Sequence, residues 1–332
     1  MTTRTIKLLV MKKADLLILF LVMLVSCNCN SQQHTPEKFI NTEIVRPMAN
    51  NESNLGVGET LDFDLVFYRN DSIFYYDCQT KKINFIIEGS QPCLSNDGRK
   101  IAFSITQTDT LTQKLKRGIF IIDLYSKHVH PLNINDKIHL NPAWSPNSEF
   151  LIFNVNHYSE MEIGIINAGN TNFEILTSEI HHDIYSPAYF CDDTTIILHD
   201  WDNVYFVSRS GTIRQTISFK TIDNVGLDML SCEMLLTNKK KFLIFNAPYL
   251  SDDIIYDPIV SIFAYDINSN ALKKITPPNI SCTNLFLMNN NKLLFSGKES
   301  ETGVWNIYEI SIEGEGMKLL MKDAMNPSSK SN

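Results

Sequence analysis

Two short patterns of apolar and polar residues alternate along most of the chain. In the first, a short strand is followed by a turn rich in Asn, Asp, Gly and Lys and then by a strongly apolar strand, as in PAWSPNSEFLIF. Such runs on either side of turn residues predict a β-hairpin. The pattern occurs five times without gaps, in stretches that begin at residues 92, 142, 187, 234 and 284.

The second pattern is a fifteen-residue stretch with an apolar strand, a polar turn and another strand, as in SIFYYDCQTKKINFI. Because the two patterns alternate, each repeat contains two hairpins and predicts a four-stranded antiparallel unit. No helical periodicity of useful length follows residue 40. Six copies of the second pattern begin at residues 72, 118, 162, 203, 261 and 306.

A repeat of about 40 to 50 residues with four strands is typical of a β-propeller, in which stacking around a ring buries both faces of every sheet. The sequence therefore predicts an all-β fold, a six-bladed β-propeller of four-stranded antiparallel blades over residues 41–325, with a disordered tail at 326–332. Trp144 is expected to pack between blades. No proline-turn motif precedes the strand at 61–70, so we expect the inner strand of the first blade within 40–60, or a ring that closes in another way.

The proline, aromatic and serine of the first pattern, followed by its turn and an apolar triplet, resemble the TolB-like six-bladed propeller family over residues 54–321. PCLSNDGRKIAF and GIFIIDLYSKHVHPL show the two motifs in succession. The resemblance implies a bacterial envelope propeller. It covers the propeller alone, because the α/β domain that precedes the propeller in TolB has no counterpart here. TolB's own role is therefore not carried over.

The N-terminal segment has the features of an export signal. Two lysines precede an apolar run at 16–25, which is too short to span a bilayer but fits the core of a secretory signal. The following Leu-Val-Ser-Cys resembles a bacterial lipobox and predicts a signal peptide at 1–26, a lipid on Cys27 and a polar tether at 27–40. We expect a protein anchored to the cell envelope, in the outer membrane on its periplasmic or surface face. The alternative is a plain secretory signal with a chance cysteine.

Charge and motifs exclude several functions. The net charge is −8, which argues against nucleic-acid binding. The chain has no G-x-S-x-G elbow, P-loop or dinucleotide fingerprint. A non-catalytic role as a binding or scaffold module for a protein, peptide or glycan is therefore favoured, in a monomer that contacts the membrane through its lipid and needs no cofactor.

An alternative is a metal-dependent carbohydrate-active enzyme, a lyase or hydrolase with its site at the channel mouth. Imidazole is a common ligand for divalent metals. His139, His181 and His182 precede the first strands of their blades, where they could converge on such a metal. The other interpretation is that they are ordinary loop histidines with no metal to bind.

Two further stretches are candidates for ligand binding. Trp201 stands between Asp200 and Asp202 in a turn, and an exposed tryptophan flanked by carboxylates suits a sugar or peptide. A tryptophan that folds back onto the blade is the alternative. The longest repeat carries an insertion with an acidic and aromatic composition, and insertions in propellers project from one face, where partners are met. Its candidate residues, which could bind a basic partner or calcium or be merely solvated, are Asp252, Asp253 and Tyr256.

Overall fold

The structure is a computed structural model, which describes most of the chain after residue 60. Within these residues, no helix is long and apolar enough to cross a membrane. The chain divides into two compact units: residues 1–40 with 107–116, of which only the ends of two strands are described, and residues 41–106 with 117–332, which carry the features discussed below. The described residues are 61–108, 115–134, 138–157, 160–177, 180, 184, 187–222, 227, 232–237, 241–248, 259–288, 291–299 and 303–330.

The described strands form six four-stranded antiparallel sheets. The chain enters the first blade with β1 (Leu65–Arg69), β2 (Ser72–Asp77) and β3 (Lys82–Glu88). The second blade contains β4 (Ser90–Leu94), β5 (Lys100–Thr108), β6 (Leu115–Asp123) and β7 (Val129–Pro131). The third contains β8 (His139–Trp144), β9 (Phe150–His157), β10 (Glu160–Asn167) and β11 (Glu174–Ile175).

The remaining blades follow in the same order. The fourth contains β12 (Tyr189–Asp192), β13 (Thr195–His199), β14 (Asn203–Ser208) and β15 (Ile213–Ser218), followed by one helical turn, Phe219–Ile222. The fifth contains β16 (Met234–Leu236), β17 (Phe242–Pro248), β18 (Val260–Asp266) and β19 (Ala271–Lys274). The sixth contains β20 (Ser281–Leu287), β21 (Lys292–Lys298), β22 (Asn306–Ser311) and β23 (Lys318–Met321), and the last strand is β24 (Met325–Ser329). The prediction of a six-bladed all-β propeller is confirmed.

The first blade is completed by the C-terminus. Its strand order is β24-β1-β2-β3, so β24 is its inner strand and pairs antiparallel with β1. Of the two alternatives for the first blade, the one in which the ring closes in another way is therefore correct, and the inner strand does not come from 40–60. The predicted disordered tail at 326–332 is wrong for residues 326–329, because they pair with β1 and are half-buried or buried.

Side-chain contacts hold the closing strand at both ends. The Lys330 ammonium lies 2.6 Å from the Asp64 carboxylate, and the Ser329 hydroxyl donates to the Asp64 carbonyl oxygen at 2.7 Å. At the other end, the guanidinium of Arg69 donates from Nε to the carbonyl oxygen of Asp323 at 2.6 Å and from Nη2 to the next carbonyl back. The ring is thus tied where the two ends of the propeller meet.

The core lies between the blades. The second strand of each blade contributes three consecutive apolar residues that are fully shielded from solvent, for example Leu151, Ile152 and Phe153 of β9. These residues pack against those of the adjacent blade, which is how stacking buries both faces of each sheet. Trp144 is 8 % exposed and donates from its indole nitrogen to the Cys93 carbonyl oxygen of the preceding blade at 3.1 Å. The prediction that Trp144 packs between blades is confirmed.

Antiparallel order gives the ring two distinct faces. One face, which we call the upper face, contains the start of the first strand of each blade. The same face contains the turn that joins the second strand to the third. It includes residues 70–71, 200–202 and 303–305. The turns between the first and second strands and between the third and fourth strands lie at the opposite lower face, which includes residues 95–99 and 124–128.

Candidate functional site

The inner strands begin at the upper face with a repeated backbone irregularity. Gln91, Asn141, Asn284 and Asn326 have φ angles of 51°, 54°, 53° and 52°. The register shifts at all four of these positions in the pairing with the second strand, which is the mark of a β-bulge. Asparagine tolerates the left-handed conformation better than most residues, and this explains its recurrence. The bulges turn four amide side chains toward the start of the inner strands, where each is half-buried.

The amides of blades 2 and 3 form one hydrogen-bonded group. Gln91 Oε1 accepts from the Asn141 backbone N–H at 3.0 Å and from the Ser104 hydroxyl at 3.1 Å, and its Nε2 donates to Asn141 Oδ1. Asn141 Nδ2 in turn donates to Asn154 Oδ1 at 3.1 Å. These side chains therefore have fixed orientations before any ligand arrives.

A second set of side chains ties each blade to the next. The residue after the apolar triplet of β9, β13 and β17 reaches a backbone carbonyl of the next blade, just before its inner strand or at the start of it. Asn154 Nδ2 lies 2.8 Å from the Ile184 oxygen, and His199 Nε2 lies 2.8 Å from the Cys232 oxygen. Asn246 Nδ2 lies 3.3 Å from the Cys282 oxygen. Burial lowers the pKa of His199. These contacts stabilise the ring and leave the three side chains oriented between blades.

Glu233 is a buried carboxylate at this face, with 8 % exposure. Its Oε1 accepts from the Thr283 hydroxyl at 3.1 Å and the Asn284 N–H at 2.9 Å, and its Oε2 accepts from the Leu285 N–H at 2.7 Å. Burial raises the pKa of Glu233, although the three hydrogen bonds act in the opposite direction. The carboxylate joins blade 5 to blade 6, and sequence reasoning did not identify it.

The three candidate residues of the β13–β14 turn, Asp200, Trp201 and Asp202, differ in their exposure to solvent. Asp200 is 4 % exposed, and its Oδ1 accepts from the N–H groups of Asp202 and Asn203, each at 2.8 Å. Its Oδ2 accepts from the Tyr205 hydroxyl at 2.7 Å. Burial, together with that hydrogen bond, raises the pKa of Tyr205 to about 12. The Asp200 carboxylate therefore holds the turn, whereas Trp201 and Asp202 face solvent.

Large apolar side chains are exposed on the upper face of three consecutive blades. Trp201 of blade 4 is 47 % exposed, Ile259 of blade 5 is 45 % exposed and Val304 of blade 6 is 58 % exposed. Beside Val304, the ammonium of Lys298 lies 5.3 Å from the centre of the Trp305 ring. Contiguous exposed apolar surface is typical of an interaction site, and these three residues share one face of adjacent blades. We call Trp201, Ile259 and Val304 the apolar group of the upper face.

The other candidates have varied positions. His139 starts β8 with 4 % exposure, and its ring packs edge-on against Phe153, with centroids 5.8 Å apart. Among the described residues, a possible metal-ligating cluster consists of Asp64, Asp77 and Cys78. It lies at the lower face, where Asp64 already pairs with a lysine. The candidates outside the described residues are Cys27, His181, His182, Asp252, Asp253 and Tyr256.

Comparison with solved structures identifies the same propeller in other proteins. TolB from Acinetobacter baumannii has a TM-score of 0.56 at 12 % identity, over 82 % of this chain and 68 % of its own. A putative TolB from Agrobacterium tumefaciens has a TM-score of 0.56 at 10 % identity, over 78 % and 88 %. A Mycobacterium tuberculosis puromycin-hydrolyzing peptidase has a TM-score of 0.53 at 13 % identity, over 80 % of this chain and 44 % of its own.

No protein-family model and no curated protein matches the chain. The structural similarity therefore establishes a TolB-like propeller fold. Because unrelated functions share this architecture, the function has to be argued from the residues of this chain.

Proposed function

We propose that this chain is a non-catalytic binding module of the bacterial cell envelope that binds a protein partner at its upper face. The observation that carries the proposal is the apolar group of the upper face, Trp201, Ile259 and Val304. These residues belong to three adjacent blades, so a partner that covers them would contact the ring over several blades. A rigid ring that presents side chains on one surface suits recognition without chemistry.

The composition of this surface favours a protein over a small ligand. Tryptophan is enriched among the residues that carry most of the binding free energy at protein interfaces. Aliphatic neighbours such as Ile259 and Val304 match an apolar patch on a folded or extended polypeptide better than the hydroxyl groups of a glycan. The segment that joins β17 to β18 also leaves and re-enters the sheet on this face, next to Ile259. Its acidic residues remain candidates for contact with the same partner.

The two buried carboxylates that the structure describes near this face, Glu233 and Asp200, are used within the ring. Glu233 accepts three hydrogen bonds from blade 6, and the Asp200 carboxylate accepts three from its own turn and Tyr205. General acid–base catalysis needs a group that can reach a substrate proton. This use supports binding over catalysis. The alternative of a metal-dependent carbohydrate-active enzyme stays a prediction. It rests on His181 and His182, together with His139, whose ring is buried.

The N-terminal segment supplies the proposed location. A lipid on Cys27 would hold the propeller at a membrane surface, and the polar residues 27–40 would act as a tether. A single acyl chain gives only weak membrane binding, so more than one chain is needed for a stable anchor. An outer-membrane lipoprotein on either the periplasmic or the surface side fits this anchor.

The test is capture of partners from native envelope. The full-length chain and the variants Trp201→Ser and Val304→Ser are expressed in the native host at equal levels and captured after mild cross-linking. Tyr125→Ser is the matched control, because Tyr125 is 77 % exposed on the lower face. We expect a partner that is recovered with the wild-type chain and the control but is reduced about tenfold or more by either upper-face variant. Equal recovery with all three variants would contradict the proposal, and recovery of glycan in place of protein would change the class of ligand.

A further inference from the structure

One cation near the upper face has no anionic partner among the residues that the structure describes. Arg117 lies in β6, near the point where that strand starts, and its backbone pairs with Ile138, just before the inner strand of blade 3. Its side chain is half-buried, and Nη2 donates to the Ser90 hydroxyl at 3.2 Å. Its Nε is buried and makes no hydrogen bond with any part of the chain that the structure describes. The guanidinium therefore lies beside the start of the inner strand of blade 2 with most of its donors unused.

Arg117 takes no part in the ion pairs of the residues that the structure describes. The ion pairs among the described residues join Lys241 to Asp266, Lys292 to Glu309 and Lys330 to Asp64. In contrast, no described carboxylate pairs with Arg117, and burial lowers its pKa with no opposing charge. A half-buried charge without a partner costs free energy, and an ionisable group that burial perturbs in this way is a candidate for a functional site.

The surroundings of the guanidinium fix its position. Ser90, the acceptor of its one hydrogen bond, precedes Gln91, whose amide is locked to Asn141 of blade 3. The described side chain that bonds Arg117 is therefore a neutral hydroxyl, and the next residue of that strand carries an amide that is itself held by hydrogen bonds. A planar guanidinium in a rigid setting recognises a carboxylate through two parallel N–H···O bonds.

We propose that Arg117, beside Ser90 and Gln91, forms a subsite that binds a carboxylate of a bound polypeptide, either an acidic side chain or a C-terminus. The polypeptide source rests on the proposed function, because the apolar group of the same face calls for a protein partner. The carboxylate itself rests only on Arg117. With a net charge of −8, the chain as a whole does not attract anions, so binding at this point depends on the local guanidinium.

The test uses small probes, so it does not depend on finding the partner. The full-length chain is labelled with ¹⁵N in arginine only, in a mild non-ionic detergent, and the Nε–Hε signals are followed during titration. The probes are N-acetylglycine, its uncharged amide N-acetylglycinamide, and glucuronate, at constant ionic strength. The Arg117 signal is assigned by its loss in Arg117→Lys. We expect a saturable shift of this signal with N-acetylglycine and none with the amide.

Variants separate recognition from a structural role. Both variants lack the Arg117 signal, so N-acetylglycine binding is compared with that of the wild type by isothermal titration calorimetry. Arg117→Gln is expected to weaken this binding about tenfold or more, and Arg117→Lys by less, because an ammonium keeps the charge but not the planar pair of N–H donors. Arg214→Gln, at an exposed arginine of β15, is the matched control and should change nothing. The thermal midpoint of unliganded Arg117→Gln should equal or exceed that of the wild type, because an uncompensated charge is removed.

Three results would overturn the proposal. The first is an Arg117 signal that does not respond to N-acetylglycine, and the second is an equal response to its amide. The third is a large fall in the thermal midpoint of Arg117→Gln with binding unchanged, which would make Arg117 a structural residue. A response to glucuronate but not to N-acetylglycine would overturn the polypeptide source and keep the carboxylate. The capture experiment tests protein binding at the upper face, and the probe titration tests carboxylate binding at Arg117. The titration can be interpreted even if no partner is captured, so failure of one proposal is distinguishable from failure of the other.

Discussion

The ion pair between Lys330 and Asp64 should contribute measurably to the stability of the ring, because it holds β24 in the first blade. Lys330 follows the closing strand, and Asp64 precedes β1 on the other side of the junction. The ammonium and carboxylate are 2.6 Å apart, with side-chain exposures of 35 % and 10 %. Asp64 also accepts a hydrogen bond from the Cys78 N–H at 3.1 Å, which fixes its position.

The magnitude follows from the distance and the exposure. Two unit charges about 4 Å apart interact by roughly 4 kcal/mol at an effective dielectric constant of about 20. The partial exposure of Lys330 allows solvent to screen the pair, so we expect a coupling of about 2 kcal/mol. Lys241 and Asp266, at 3.7 Å with exposures of 53 % and 15 %, form the control pair. Their coupling is expected to be below about 0.5 kcal/mol.

The assay is a double-mutant cycle. Free energies of unfolding are measured by urea titration for the wild type, Lys330→Met, Asp64→Asn and the double variant, with the corresponding set for Lys241 and Asp266. The difference between the double variant and the sum of the single variants gives the coupling free energy for each pair. A coupling for Lys330 and Asp64 no larger than that of the control pair would refute the reasoning.

The pH dependence provides a second check on the same pair. Burial raises the pKa of Asp64, but the hydrogen bonds from Lys330 and Cys78 outweigh it, so the net pKa is lowered below the ordinary 3.8. A lowered carboxyl pKa contributes stability above the pKa of the unfolded chain, and this stability is lost as the pH falls through the lower pKa of the folded state. The coupling should therefore be complete at neutral pH and disappear in acid below about pH 4. A coupling that persists unchanged at the acid end would mean that charge is not its source.

Two further predictions concern other parts of the chain. Cys27→Ser should abolish incorporation of labelled palmitate and release the protein from the membrane fraction, whereas Cys29→Ser should leave both unchanged; retained label in Cys27→Ser would disprove the lipid site. Trp144→Phe should lower the free energy of unfolding by about 1 kcal/mol, because the indole hydrogen bond to the Cys93 oxygen is lost while the ring is nearly kept. Urea titration measures this loss, and no change in stability would show that the hydrogen bond contributes nothing.

The blades were predictable because their signal is local. An apolar triplet such as Leu151 to Phe153, preceded by a turn, specifies a buried second strand whatever the rest of the chain does. Alternation of the two hairpin patterns then fixes the number of strands per sheet. The alignment without gaps was one residue off in blade 6. The turn in blade 6 is one residue shorter than the turn in blade 3, so the position equivalent to Pro142 is Leu285 and not Asn284. In blade 6 the turn is closed by a hydrogen bond from the Met288 N–H to the Lys292 carbonyl oxygen, four residues later. In blade 3 the Ser145 N–H donates to the Phe150 carbonyl oxygen, five residues later.

The sequence analysis leaves open a ring that closes in another way but does not identify the closing strand, because its signal is divided between the two ends of the sequence. Asn326 and Pro327 match Asn141 and Pro142, with the same left-handed residue before the proline. In the other blades the turn and the apolar second strand follow the inner strand directly in sequence. In the first blade they lie at residues 61–70, at the other end of the propeller sequence. A search of the C-terminal tail for half of the motif would have found the closing strand.

The candidate site was predicted less completely, because its contacts depend on pairing between blades. Glu233 and Arg117 are single charged residues with no motif around them, and their importance comes from partners or missing partners on other strands. The carboxylates beside Trp201 predict that Asp200 is part of a ligand site, but an aspartate followed by Asn203 in a tight turn is also the pattern of a side chain that caps its own turn. Trp201, its neighbour, faces solvent as a binding tryptophan would.

The most direct test of protein binding at the upper face is photo-cross-linking in living cells. A photoreactive phenylalanine analogue is placed in turn at positions 201 and 304 of the upper face and at position 125 of the lower face. The account predicts one discrete cross-linked protein, the same from both upper-face positions and absent from position 125. Cross-links that are absent from both upper-face positions, or that are as strong from position 125, would contradict the claim that this face binds a protein.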